Sequence, residues 1–179
     1  MATATSTELK HIKSLLTKKG RKEHGQFVAE GVRVLEEAYR HQAQPSGIYY
    51  SPALLSERGE GLAVVFSKRG IPVKEVSASR LQSVTDTTTS QGILAVFDTP
   101  ARSLTKLYRP SYRKLLLCEN IGDPGNLGTL IRSAAAFDFR LVCLIGTSAE
   151  PYAPKVVRSS AGAIFAVAVV ESTDVEALA

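Results

Sequence analysis

GDPGNLGTLIRSAAAF (Gly122–Phe137) and PKVVRSSAGAIF (Pro154–Phe165) are the two runs on which the reading of this chain turns. Each follows a short apolar segment, LLLCEN (Leu115–Asn120) before the first and LVCLIG (Leu141–Gly146) before the second, and a third apolar run, AIFAVAVV (Ala163–Val170), comes after. Unbroken apolar strands separated by helical patterns predict a parallel sheet covered on both faces. Ligands of such sheets collect outside the carboxyl ends of the strands, where both polar runs fall.

Within the first run, Gly122, Pro124, Gly125 and Gly128 predict a tight glycine loop that backbone or ligand can approach closely. Asn126 is the candidate N-cap of a helix whose apolar positions are Leu127, Leu130, Ile131 and Ala134. Arg132 then falls in the first turns, where the helix macrodipole disfavours a cation by about 0.3–1 kcal/mol. A cation placed there points to an anion nearby, although a plain cap and a solvated arginine account for the same residues. The glycine spacing matches neither the dinucleotide fingerprint nor the Walker A loop.

What the run resembles is the first signature of the SpoU/TrmH branch of the SPOUT methyltransferases. The matching residues are Asn126-Leu127-Gly128 followed by Arg132-Ser133-Ala134-Ala135. Pro154-Lys155-Val156-Val157-Arg158-Ser159-Ser160-Ala161-Gly162 is similar to that family's second signature. In the front half, GQFVAEGVRVLEEA (Gly25–Ala38) and TSQGILAVF (Thr89–Phe97) resemble the opening and the closing strand of its substrate-binding domain, which shares a fold with ribosomal proteins that bind kinked RNA.

The resemblance implies an α/β fold in two parts. A small, ribosomal-protein-like RNA-binding domain occupies residues 1–98 and a basic linker residues 99–114. The first part of a parallel-sheet SPOUT (α/β knot) methyltransferase domain occupies residues 115–179. It implies methyl transfer from S-adenosylmethionine to a ribose 2′-hydroxyl of rRNA or tRNA, with Arg132 and Asn126 as catalytic residues and Arg158 and Ser160 shaping the RNA cleft. Arginine has a pKa above about 12, so Arg132 suits a phosphate grip and electrostatic stabilisation better than proton abstraction. The family's two later signatures, a glycine-x-glutamate loop and an isoleucine-proline strand end leading to serine-leucine-asparagine, have no match before Ala179. The expectation is therefore a truncated enzyme lacking the knot and most of the S-adenosylmethionine pocket. The missing segment would carry a homodimer contact. The rival reading is a non-catalytic RNA-binding protein with a methyltransferase remnant, and a weaker third is a nucleotide-binding α/β domain.

Composition fits this frame. The 179 residues are 44% hydrophobic and carry a net charge of +5. Through Tyr112 there are 16 lysines and arginines against 10 acids, and from Arg113 onward 6 against 7. The excess begins with KHIKSLLTKKGRKEHG (Lys10–Gly25), which predicts a helix capped by Ser6 or Thr7 with Leu9, Ile12, Leu15 and Leu16 on its apolar face. A basic turn of Lys18, Lys19, Arg21 and Lys22 follows, able to neutralise RNA phosphates.

Strands are expected at Gln26–Glu30, Gly47–Ser51, Val73–Val76 and Gly92–Asp98. Helices are expected over Gly31–Arg40 and Ser77–Asp86, with a third between Pro52 and Gly70 broken by Gly59 and Gly61. Cys118 and Cys143 lie in apolar strands and read as buried reduced thiols of a cytoplasmic protein. His11, His24 and His41 are scattered, so no metal site is expected. The longest apolar run is about half of what a membrane span requires.

Overall fold

The computed structural model describes residues 2–100 and 114–171. The chain divides into two compact units, Met1–Thr99 with Tyr152–Pro154, and Pro100–Pro151 with Lys155–Ala179.

The first unit is a five-stranded mixed sheet flanked by helices. Its strands are β1 (Ala2–Thr3), β2 (Gln26–Glu30), β3 (Gly47–Tyr50), β4 (Val73–Glu75) and β5 (Ile93–Asp98), in the order β1-β4-β3-β5-β2. β1 and β3 run parallel to β4, whereas β5 is antiparallel to both β2 and β3. Its helices are α1 (Ser6–Leu15), α2 (Lys18–His24), α3 (Val32–Arg40), α4 (Glu57–Lys68) and α5 (Ala78–Gln82). Leu9, Ile12 and Leu15 of α1 and Leu81 of α5 share a core with Val28, Tyr49, Leu94 and Val96 on one sheet face. Strand alternation turns Ile48 and Ala95 to the other face, toward α3 and α4.

Three local expectations are corrected here. Thr5, not Ser6 or Thr7, caps α1: its Oγ1 accepts the Glu8 N–H at 3.2 Å, and Glu8 Oε2 accepts the Thr5 N–H at 2.9 Å. Only Thr5 has an acid three residues on, so only it completes the reciprocal capping box. The basic segment is a helix rather than a turn. Thr17 caps it through the Gly20 N–H, and Gly25 ends it in the left-handed conformation at φ 63°. Gly59 and Gly61 do not break α4, which runs unbroken from Ser56 as N-cap. Interior glycines weaken a helix by about 1 kcal/mol each, and the burial of Leu62, Ala63 and Phe66 outweighs that.

The second unit is a parallel sheet of β6 (Leu115–Glu119), β7 (Leu141–Ile145) and β8 (Ala168–Glu171), in that spatial order. Its helices are α6 (Pro124–Ala136) and α7 (Pro154–Ser159). The third apolar run is not one strand. Gly162 sits at φ 92°, Ala163–Phe165 form a 3-10 turn, and β8 starts only at Ala168, opposite Leu141. Burial on both faces holds for β7, all five of whose residues are buried. Among the described residues β6 is an edge of this sheet, and Leu115 and Leu117 on one of its faces are 41% and 45% exposed.

Candidate functional site

The loops leaving β6 and β7 lie side by side at the carboxyl ends of those strands and are bonded together. Asn120 N–H donates to Ile145 O at 3.1 Å, and Ala149 N–H donates to Ile121 O at 2.8 Å. Ser148 Oγ accepts the Ile121 N–H at 3.1 Å. An open concavity of about 430 Å³ begins here, lined by Asn120, Ile121, Gly122, Asp123 and, on α6, Asn126, Thr129 and Leu130.

α6 is capped three residues before the expected position, by Asp123 and not Asn126. Asp123 is extended (φ −80°, ψ 122°), its Oδ1 accepts the Asn126 N–H at 2.8 Å, and Pro124 follows at the first helical position. Proline loses nothing there, because its missing N–H would have no helical partner. The hydrogen bond from the Asn126 N–H, with Lys155 Nζ 3.5 Å from the other oxygen, holds the Asp123 carboxyl below the ordinary aspartate range. Asn126 therefore keeps its side chain out of capping and stands exposed beside the concavity.

The earlier start also moves Arg132. It precedes the final helical residue, Ala136, by four positions, so it occupies the carboxyl half of α6 rather than its first turns. The macrodipole does not oppose a cation there, and the dipole argument for a nearby anion falls. What remains is placement. Asn126, Thr129 and Arg132 follow one another at intervals of three, which sets them along a single ridge of the helix. All three are exposed, and Arg132 makes no hydrogen bond or ion pair among the described residues. Thr129 Oγ1 donates back to Gly125 O at 3.0 Å.

The second signature supports the first from below. A methyl on Gly128 would fall 1.9 Å from Ser159 Oγ and 2.7 Å from Val156 O, so α6 and α7 cross where only glycine fits. The glycine of the asparagine-x-glycine pair is thus a helix-packing residue, not a loop residue. Ser160, expected at the RNA cleft, is fully buried, and its Oγ donates to Val157 O at 2.7 Å, so it is structural. Arg158 is half-buried on α7.

In the first unit the structure keeps Lys18, Lys19 and Lys22 as exposed side chains of α2 and removes Arg21 from that set. Arg21 is 4% exposed, and its Nη1 donates to Leu15 O, the carbonyl ending α1, at 2.7 Å. Long aliphatic stems let arginine fill such a niche, and sequence spacing alone could not separate it from its neighbours. Lys10 and Lys13 on α1 are exposed and extend the basic surface. The histidines are not all scattered: His11 and His24 pack edge to face at 4.6 Å. Sequence reading also passed over Asn120 and Ser148, whose partners lie in another loop.

The profile of the MRM3-like substrate binding domain matches residues 6–95, and that of the SpoU rRNA Methylase family matches residues 113–179. The chain is 33% identical over 170 residues to the 23S rRNA (guanosine(2553)-2'-O)-methyltransferase RlmP of Bacillus subtilis, covering 93% of this chain and 62% of that protein. It is 30% identical over 164 residues to the human mitochondrial rRNA methyltransferase 3, covering 87% of this chain and 37% of that one. The chain thus spans less than two thirds of the length of either relative. Among solved structures, an AdoMet-bound rRNA methyltransferase from Sinorhizobium meliloti superimposes with a TM-score of 0.78 at 26% identity, over 96% of this chain and 63% of that one.

Proposed function

Since the chain belongs to the SpoU rRNA methylase family and carries that family's MRM3-like substrate-binding domain, we propose that its protein methylates a ribose 2′-hydroxyl of rRNA or tRNA with S-adenosylmethionine as donor. Residues 1–98 serve as the RNA-binding part, 99–114 as a linker, and 115–179 as part of the catalytic domain; most of that linker lies outside the described residues. The observation that carries the reading is the α6 ridge. Asn126 stands exposed on it at the carboxyl ends of a parallel sheet and borders the concavity, and Arg132 is exposed further along the same helix.

The chemistry asks for an oriented hydroxyl and for compensation of the negative charge that grows on its oxygen. Arg132 supplies a planar, permanently charged fork that grips a neighbouring phosphate and opposes that charge. Asn126 orients the nucleotide through its amide. Asp123 is a weak proton acceptor here, because the Asn126 N–H and Lys155 hold its carboxyl below the ordinary aspartate range. Asn120 Oδ1 is likewise engaged, with the Thr147 N–H. No described residue is assigned to S-adenosylmethionine, which supplies an activated methyl group when bound. Lys18, Lys19 and Lys22, joined by Lys10 and Lys13, contact phosphates without reading sequence. The protein works as a homodimer in the cytoplasm; two buried free thiols suit a reducing compartment.

Single-turnover methyl transfer to RNA by the full-length protein tests the proposal. Arg132→Ala should lower the rate by about 10²–10³ with the fold intact, because loss of one transition-state donor has that effect and no described partner is broken. Lysine should rescue poorly, since a point charge lacks the two-pronged grip. Near-normal turnover in the alanine variant would remove Arg132 from the mechanism.

A further inference from the structure

The junction between the two site loops depends on one side chain. Asn120 has φ 54°, a left-handed conformation in which asparagine is several-fold enriched over most residues. Its Oδ1 accepts the Thr147 N–H at 2.8 Å across 27 positions of sequence. Gly146, at φ 64°, lies directly beneath: a Cβ there would fall 2.3 Å from Asn120 Oδ1. The amide of Asn120 is therefore seated on the backbone of the second loop, with no room for a side chain between. Beyond it the contact continues through Ile121 and Ser148, then Ile121 and Ala149. Asp123, three residues after Asn120, sets the start of α6 and so the position of Asn126. Asn120 and Asn126 line the same concavity.

We propose that Asn120 is a positioning residue for this site. By holding the Thr147 N–H it locks the loop before α6 against the loop after β7, and that lock determines where Asn126 stands. It acts through the loops and not on the reacting atoms. Two properties of Asn120 are separable. Its backbone needs only positive φ, which glycine meets at no steric cost. Its side chain supplies an acceptor, which aspartate retains in the same conformation. If the turn were all that mattered, Asn120→Gly would behave as wild type. If the lock matters, glycine fails where aspartate succeeds.

Amide hydrogen exchange and single-turnover kinetics on full-length wild type, Asn120→Gly and Asn120→Asp decide the matter. In the glycine variant, faster exchange is expected at Thr147 and, together with it, at Ile121 and Ala149, with protection restored in the aspartate variant. Unchanged protection of Ile121 and Ala149 in the glycine variant overturns the lock. The kinetic arm rests on the function proposed above. A misplacement of about 1 Å lowers rates by about 10²-fold, so Asn120→Gly should lower kcat by that order while KM for RNA stays within about twofold. Asn120→Asp should recover most of the loss. Equal losses in both variants, or a change confined to KM, contradict a positioning role. A wild-type protein that transfers no methyl group defeats the proposed function instead, and the exchange measurement then decides on Asn120 alone.

Discussion

Replacing Gly128 by alanine should destabilise the second unit, although the same change at another helical glycine of this chain should stabilise the first. Gly61 lies inside α4 with nothing within 4 Å of the position a Cβ would take. Alanine there gains the ordinary helix preference of about 0.8–1 kcal/mol. Gly128 also lies inside a helix and would gain as much, but its new methyl meets Ser159 Oγ at 1.9 Å and Val156 O at 2.7 Å. Restoring van der Waals separation from Ser159 requires a movement of about 1.5 Å. Ser159 could rotate away, but Val156 O is backbone, so α7 itself must shift from α6. Overpacking on this scale costs about 1–3 kcal/mol, and set against the propensity gain the upper half of that range leaves a net loss of about 2 kcal/mol or less.

Spread over a chain of this size, a loss near 2 kcal/mol would lower Tm by about 4–8 °C. Thermal unfolding followed by circular dichroism suits a protein without tryptophan, and hydrogen exchange assigns each effect to its unit. Adding Ser159→Gly to Gly128→Ala should recover part of the loss and not all, because the carbonyl contact persists. A Gly128→Ala protein as stable as Gly61→Ala would refute the claim that α6 and α7 meet at van der Waals contact.

The basic helix separates into two roles. Alanine at Lys18, Lys19 and Lys22 together should weaken RNA binding and reduce the slope of log affinity against log salt by about 2–3, with stability unchanged. Arg21→Ala should instead leave a buried carbonyl unpaired and destabilise by about 1–3 kcal/mol, and a Tm equal to wild type would return Arg21 to the solvated surface. Glu8 contributes to the acid behaviour of the first unit. Burial alone would raise its carboxyl, but hydrogen bonds from Lys74 and Thr5 outweigh burial and hold it down at about 2. A depressed carboxylate contributes stability that is fully present above its unfolded value of about 4.5 and lost as pH falls through about 2. Glu8→Gln should therefore flatten the fall in stability between those pH values, and an acid limb identical to wild type would show that the Glu8 carboxylate adds nothing to it.

Much of this protein was legible in residues that act on near neighbours. The apolar runs at Leu115–Asn120 and Leu141–Gly146, the helical spacing of Leu127, Ile131 and Ala134, and the order of the two signatures all express contacts within a few positions of chain. The true caps were legible too: Thr5 with Glu8 three residues on, and Asp123 before Pro124, are local side-chain bonds that sequence inspection can find. Reading the second cap at Asn126 displaced the helix start by three residues and assigned Arg132 to the wrong end of the dipole. What only the tertiary structure decided involves partners far apart in sequence. Arg21 reaches a carbonyl of α1 while Lys18, Lys19 and Lys22 beside it reach water. Gly128 is small because Ser159 occupies the space, and Asn120 bonds a loop 27 residues away. Pattern and propensity report the faces that elements present. Which atoms those faces then touch is settled when chain closure brings remote segments within a few ångströms, and no spacing within either segment encodes that distance.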